Sequence, residues 1–85
     1  MHLNTVKVYP NPASNSLNIE WTSMLTENVT VELMDVTGRT VYNNTWDVQK
    51  VQDNVKVDVS SLSGGVYLVH FKSGNVSYIG KIVKE

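Results

Sequence analysis

Residues 55–71 of the chain read VKVDVSSLSGGVYLVHF, and this stretch decides the fold. Its first five residues alternate valine with Lys56 and Asp58, which is the period-2 pattern of a strand with one buried face. The small residues over 60–65 predict a tight crossing between two strands. Residues 66–71 are apolar at almost every position, which predicts a central strand covered on both faces.

The same alternation recurs on both sides of this stretch, and helical periodicity is hard to find. Turn signals separate the alternating segments, as is typical of small sandwiches and barrels. The pattern predicts strands at 6–9, 17–22, 29–34, 40–46, 55–59, 66–71 and 76–83, with a turn at 13–15. We therefore predict an all-β fold, an immunoglobulin-like β-sandwich of about seven antiparallel strands, with a small open barrel as the alternative.

The composition limits the classes of function. A chain of 85 residues has room for one domain, which we place at residues 6–85, with residues 1–5 as a linker or as residues added at the start. Seven basic and eight acidic residues give a net charge of −1, too little positive charge to hold nucleic acid through its phosphates. The absence of cysteine excludes a disulfide, a thiolate metal site and a cysteine nucleophile. Residues 1–4 lack the features of a signal peptide, so we expect a mature or excised piece of any exported protein.

The sequence offers no arrangement of side chains for catalysis. Nucleophilic catalysis needs a nucleophile, a base within reach and an orienting group. The two histidines are His2, at the start of the chain, and His70, inside an apolar strand. Glu20, Glu32 and Asp58 fall on the polar faces of strands, where solvated carboxylates are expected. We therefore predict that the protein is not an enzyme and has no catalytic residues, no cofactor and no metal site.

Short motifs along the chain resemble those of one known family. They are, in chain order, Val8-Tyr9-Pro10-Asn11-Pro12, Leu17-Asn18-Ile19, Asp35-Val36-Thr37-Gly38-Arg39, Asp58-Val59-Ser60-Ser61-Leu62 running into Gly65-Val66-Tyr67-Leu68-Val69, and Lys81-Ile82-Val83-Lys84. Each motif alone is common, but their order and spacing together are specific. The set resembles the type A C-terminal sorting domain of the type IX (Por) secretion system of Bacteroidetes, and the resemblance covers residues 6–85.

The resemblance implies a targeting function rather than catalysis. The implied partners are an N-terminally fused cargo domain, the outer-membrane type IX translocation machinery and its sortase-like cysteine peptidase. The precursor would pass through the periplasm, be recognised at the outer membrane, and then usually lose the sorting domain to the peptidase. The cargo would be anchored at the cell surface or released outside the cell. Neither nucleic acid nor a cofactor is implied.

Several residues of these motifs would favour a particular backbone conformation. Pro10, Asn11 and Pro12 would fix the chain at the end of the first strand and stop the sheet from growing, because proline cannot donate to a ladder. Gly38 would let the hairpin turn close. Gly65 would supply a position without Cβ before the central strand. Fold maintenance and direct contact with the export machinery are both open roles for these residues.

The second half of the motif set includes an aromatic residue and two cations. Tyr67 would pack its ring while its hydroxyl reaches a backbone acceptor. Lys81 and Lys84 lie in the last strand, where lysines discourage sheet-to-sheet aggregation. They would alternatively belong to an exposed edge and basic tip over 76–85 that the machinery binds by strand addition or charge pairing. An exposed edge also allows a homodimer, and the peptidase would cut at or before the first strand, ahead of Val6.

A different function is a carbohydrate-binding or adhesive module of a surface protein. It requires a row of exposed aromatic rings or a calcium-bound loop. Tyr42 and Trp46 are the candidates for such a row. Asp47 and Asp53 bracket a polar loop but lack the spacing of a calcium-binding loop. A stalk or spacer domain is the third interpretation.

Overall fold

A computed structural model describes residues 6–85, so the predicted linker at 1–5 lies outside the described residues. Residues 6–85 form seven β-strands: β1 Val6–Tyr9, β2 Ser16–Trp21, β3 Val29–Met34, β4 Thr40–Trp46, β5 Asn54–Asp58, β6 Gly65–Ser73 and β7 Val76–Lys84. A single turn of 3-10 helix, Val48–Lys50, lies between β4 and β5. Nothing in the range 6–85 forms a helix of the length and hydropathy that a membrane crossing needs.

The strands form two antiparallel sheets that pack face to face. The three-stranded sheet has the order β1-β2-β5, and the four-stranded sheet has the order β4-β3-β6-β7. Every strand pair is antiparallel. The predicted immunoglobulin-like β-sandwich is confirmed. The two sheets do not close on one another, so four strands lie at sheet edges: β1, β5, β4 and β7.

The core lies between the sheets and consists of the inward members of each alternating strand. Leu17, Ile19 and Val57 of one sheet face Leu33 and Phe71 of the other, and all five are fully buried. Burying a side chain of this size contributes about 1.5–3 kcal/mol. The Trp21 and Phe71 rings meet with centroids 5.3 Å apart and planes inclined by 40°. Period-2 patterning therefore accounts for the core residues that the strands supply.

Strand β6 is central in its sheet, as predicted, but the prediction that both its faces are covered is wrong. Tyr67, Val69 and Phe71 point inward and are buried, whereas Val66 and Leu68 are 39% and 41% exposed. The sandwich has only two layers, and no described residue covers the outer face of the four-stranded sheet. The apolar run in β6 thus supplies one core face and one exposed apolar face.

The predicted turn at 13–15 is also wrong in one respect, because Ala13 belongs to the core and to a sheet edge. Ala13 is fully buried and forms an isolated parallel bridge with Lys84 of β7. After β1 the chain therefore crosses to the four-stranded sheet, touches the edge of β7, and returns to the three-stranded sheet as β2. A turn prediction made from local sequence cannot detect a bridge to a residue so distant in the chain.

Candidate recognition surface on the terminal strand

The motif residues gather at one end of the sandwich. Val6 pairs with Trp21 at the end where the described chain begins. At the opposite end Gly65 pairs with Lys84, and Ala13 contacts the same lysine. That opposite end carries or adjoins all eight residues singled out by the sequence: Pro10, Asn11, Pro12, Gly38, Gly65, Tyr67, Lys81 and Lys84.

Residues 11–13, which we call the clip, cover the last part of the β7 edge. The Asn11 side chain accepts a hydrogen bond from the Val83 backbone N–H at 2.9 Å and donates from Nδ2 to the Lys81 carbonyl at 3.3 Å. The Ala13 N–H donates to the Val83 carbonyl at 2.8 Å, and the Glu85 N–H donates to the Ala13 carbonyl at 2.8 Å. The side-chain amide of Asn11 thus takes the place of a peptide group in a short added strand.

Proline limits how far this added strand extends. Strand β1 ends at Tyr9, directly before Pro10. Pro10 and Pro12 have no N–H to donate to a ladder. The bonds from the segment to β7 therefore come from the Asn11 side chain and the Ala13 backbone, and they reach no further back than Lys81.

The rest of the β7 edge is uncovered. In an antiparallel strand, alternate residues direct their N–H and C=O to the same side. The clip bonds to backbone groups of Lys81, Val83 and Glu85. The backbone N–H and C=O groups of the odd-numbered residues of β7 therefore point away from β6. Ser77, Ile79 and the Lys81 N–H consequently face outward, where no described strand pairs with them. We call residues 77–81 the open edge.

The open edge carries the most exposed large hydrophobic side chain of any described strand. Strand β1 has only four residues, and β5 has five, among which Lys56 and Asp58 are exposed. Strand β4 exposes Asn43 and Asn44, which are poor strand formers. Strand β7 has nine residues, and Ile79 at the centre of its open edge is 65% exposed. Long, exposed, apolar edges are the ones that accept another strand.

An apolar patch on the outer sheet face adjoins the open edge. Val66 pairs with Val83, and Leu68 pairs with Lys81, next to Ile79. All four aliphatic side chains are exposed by more than a third, and Lys81 lies among them. A strand added to β7 would continue this patch with its own outward side chains.

The two lysines of the predicted basic tip lie on opposite faces of β7. Lys81 is exposed on the outer face, whereas Lys84 is only 9% exposed and faces inward. The Lys84 ammonium donates to the Glu85 carbonyl at 2.8 Å. Residues three apart on a strand point to opposite sides, so the two charges do not combine into one patch. Lys81 is the cation that a partner at the open edge would meet.

Three other motif residues hold the loops of this end. Tyr67 is 7% exposed, and its hydroxyl donates to the Ser63 carbonyl at 2.6 Å, which confirms the predicted backbone acceptor. Gly38 has φ +87° in the β3–β4 turn, and Gly65 has φ +153° at the start of β6. Both values are ones that residues with a Cβ rarely adopt.

Two aspartates that begin motifs quoted above order the adjacent loops. Asp35 accepts hydrogen bonds from the Thr37 N–H, the Thr37 hydroxyl and the Arg39 N–H, the closest at 2.6 Å. The Thr37 hydroxyl is the largest cause that lowers the pKa of Asp35. Asp58 accepts from the Ser60 hydroxyl and N–H, which lower its pKa in the same way. These bonds are the local turns expected of aspartate at loop starts.

The described residues do not form the aromatic row or the metal site that the other interpretations of the sequence require. Tyr42 and Trp46 pack against the core, so they do not form the exposed aromatic row that a carbohydrate-binding module requires. Residues 6–85 bring no three metal-binding side chains together. His70 is half-buried on the outer sheet face, paired with Glu32 and Ile79. The sequence missed Ala13 and Ile79; alternation in β7 could have identified Ile79, which lies on the same face as Lys81.

The fold is an immunoglobulin-like β-sandwich, and part of its β7 edge is uncovered. A family model described as "secretion system C-terminal sorting domain" matches residues 7–85. The chain therefore belongs to that family and is a sorting signal of type IX secretion, which directs proteins to the cell surface or the extracellular space.

Two solved structures are similar in fold. One is a DUF3244 family protein from Bacteroides vulgatus, described as an immunoglobulin-like β-sandwich: TM-score 0.77, 16% identity, with 94% of this chain and 83% of that chain covered. The other is dimeric latent PorU from Porphyromonas gingivalis: TM-score 0.64, 20% identity, with 99% of this chain covered. The match spans only 10% of the PorU chain. A comparison with curated protein sequences gives no match.

Proposed function

We propose that the type IX translocation machinery recognises this domain by adding an extended strand to the open edge of β7. The observation that carries the proposal is the uncovered stretch 77–81, bounded by the clip and centred on the exposed Ile79. Backbone bonds to Ser77, Ile79 and Lys81 would provide affinity. The apolar patch and the Lys81 ammonium would provide specificity for aliphatic and acidic side chains of the partner.

The finer steps of export are part of the same proposal. A cargo domain precedes Val6, the precursor passes through the periplasm, and the folded sorting domain is recognised at the outer membrane. A sortase-like cysteine peptidase then cuts ahead of Val6, so that the cargo is anchored or released. The domain acts as a substrate and label in these steps, without catalysis of its own.

A secretion assay tests the proposal. A signal peptide and a fluorescent reporter are fused ahead of residues 1–85 and expressed in a type IX-proficient bacterium and in a mutant without the machinery. We expect the reporter at the surface or in the medium of the first strain only, without the mass of the domain. Reporter retained in the periplasm of both strains would refute the sorting role, and a cut inside 6–84 would refute the cleavage step.

The recognition edge is tested by matched variants in the same assay. Ile79→Lys places a second charge in the open edge, and Val36→Lys makes the same change at an apolar side chain that is 80% exposed in the β3–β4 turn. We expect Ile79→Lys to reduce export while Val36→Lys leaves it unchanged. Both variants should keep the melting temperature of the parent domain, because neither side chain is in the core. Equal export of the two variants would remove the open edge from the proposal.

A further inference from the structure

We propose that two copies of this domain pair through their open edges, as an antiparallel ladder with a two-fold axis at Ile79. Of the four edges that the described sheets leave, the one at β7 carries the most exposed large hydrophobic side chain, Ile79. An exposed edge with unpaired backbone groups is a template for another strand. A second copy supplies an identical edge, and the symmetry of a two-fold pair then places strict conditions on its register.

The register of the pair follows from the two structures that limit the open edge, the β6–β7 hairpin turn and the clip. At one side β7 begins at Val76, after the Gly74–Asn75 hairpin turn. At the other side the clip occupies the edge from the Lys81 carbonyl onward. A two-fold pair that uses the whole stretch 77–81 must be centred on its midpoint, Ile79. A hydrogen-bonded pair of an antiparallel ladder exchanges two bonds. The Ile79 pair makes both, whereas each Lys81–Ser77 pair makes one because the clip occupies the Lys81 carbonyl, so this register makes about four backbone hydrogen bonds.

The side chains are compatible with this register. Ile79 faces Ile79 of the second copy, so the most exposed aliphatic side chain of the edge loses part of its contact with water. Lys81 faces Ser77 of the second copy, which avoids opposing two lysines. A register centred on Lys81 would oppose the two ammonium groups and would drive each strand into the clip of the other copy. The position of the clip and the repulsion between the two lysines therefore both favour a ladder centred on Ile79.

The pairing would also regulate access to the open edge. This consequence, unlike the dimer itself, rests on the proposed function, because it assumes that the machinery reads the same residues 77–81. A strand of the second copy and a strand of the machinery cannot occupy one edge together. A paired domain would thus be hidden from the machinery until it dissociates.

Disulfide trapping tests the dimer and its register, since the chain has no cysteine of its own. In the proposed pair the two residues at position 79 have Cα atoms about 5.5 Å apart, within the range that a disulfide bridges. The two residues at position 77 are offset by about 13 Å along the strands. Ile79→Cys should therefore form a linked dimer under mild oxidation at least about tenfold faster than Ser77→Cys. The double variant S77C/K81C should link as well.

A second measurement uses the unmodified chain. Sedimentation equilibrium should show a concentration-dependent shift from 9.5 kDa toward twice that mass, and Ile79→Lys should abolish the shift while Val36→Lys preserves it. A monomer at every concentration, with Ile79→Cys no faster than Val36→Cys, would overturn the dimer. Fastest linkage of Ser77→Cys to itself would overturn the register. Failed linkage with intact export would refute only the dimer, and intact linkage with failed export would refute only the sorting role.

Discussion

Replacing Asn11 by alanine removes both side-chain hydrogen bonds that join the clip to β7. The bond from the Val83 N–H has an ordinary length of 2.9 Å, whereas the bond to the Lys81 carbonyl, at 3.3 Å, is long. A hydrogen bond contributes about 0.5–1.5 kcal/mol net, so the pair contributes about 1–2 kcal/mol. For a domain of this size, 1 kcal/mol corresponds to about 4–8 °C in melting temperature. We therefore expect Asn11→Ala to lower the Tm by about 5–10 °C.

Urea unfolding and amide hydrogen exchange together measure this effect. The free energy of unfolding reports the loss of both bonds, and exchange at Val83 reports where the loss occurs. In dilute solution the Val83 amide should lose its protection in the variant, whereas the Ile79 amide, which faces the open edge, should exchange quickly in both proteins. Asn18→Ala is the matched control, because the Asn18 side chain makes no hydrogen bond within the described residues.

The outcome separates a stabilising clip from a passive contact. If Asn11→Ala and Asn18→Ala have the same free energy of unfolding, the Asn11 bonds contribute nothing and the reasoning is wrong. If stability falls while Val83 keeps its protection, the loss lies elsewhere than at the β7 edge. Only a fall in both quantities supports the interpretation that the clip closes this part of the edge.

Tyr67→Phe should cost about 1–3 kcal/mol in urea unfolding, because it leaves the Ser63 carbonyl without its hydroxyl donor; an unchanged midpoint would contradict a role for this bond. Gly38→Ala should cost about 1 kcal/mol, since Gly38 has φ +87°, whereas Gly64→Ala, at a glycine without positive φ, should cost less in the same titration. Asp35 and Asp58 have lower pKa values in the folded protein than in the unfolded chain. At a pH between the folded and the unfolded pKa values, the native state therefore binds fewer protons than the unfolded chain. Their contribution is therefore complete above the unfolded value of 3.8 and is lost as the pH falls through the lower folded values. Melting curves across acidic pH should show that Asp58→Asn flattens this decline, and an unchanged slope would count against the Ser60 hydrogen bonds as its source.

Local sequence determined the strands and their inward faces. The alternation of apolar and polar residues depends only on near neighbours, so it located all seven strands to within one or two residues and selected the core side chains of β2, β3 and β5. The ordered motifs similarly indicated the family to which the chain belongs. A backbone acceptor for the Tyr67 hydroxyl could also be predicted from sequence, because that acceptor, the Ser63 carbonyl, lies only four residues away.

Tertiary structure alone decided which edges are covered and which are open. The clip joins Asn11 to Val83 and Ala13 to Lys84, which are about as far apart in sequence as this chain permits. Alternation indicates that one face of a strand is buried, but it does not indicate how many layers cover the sheet, so β6 was predicted to be covered on both faces. It also does not identify neighbouring strands, because hydrogen-bonded pairing is set by long-range packing. The open edge at Ile79 is a product of that pairing, and for this reason it becomes visible only in the folded sandwich.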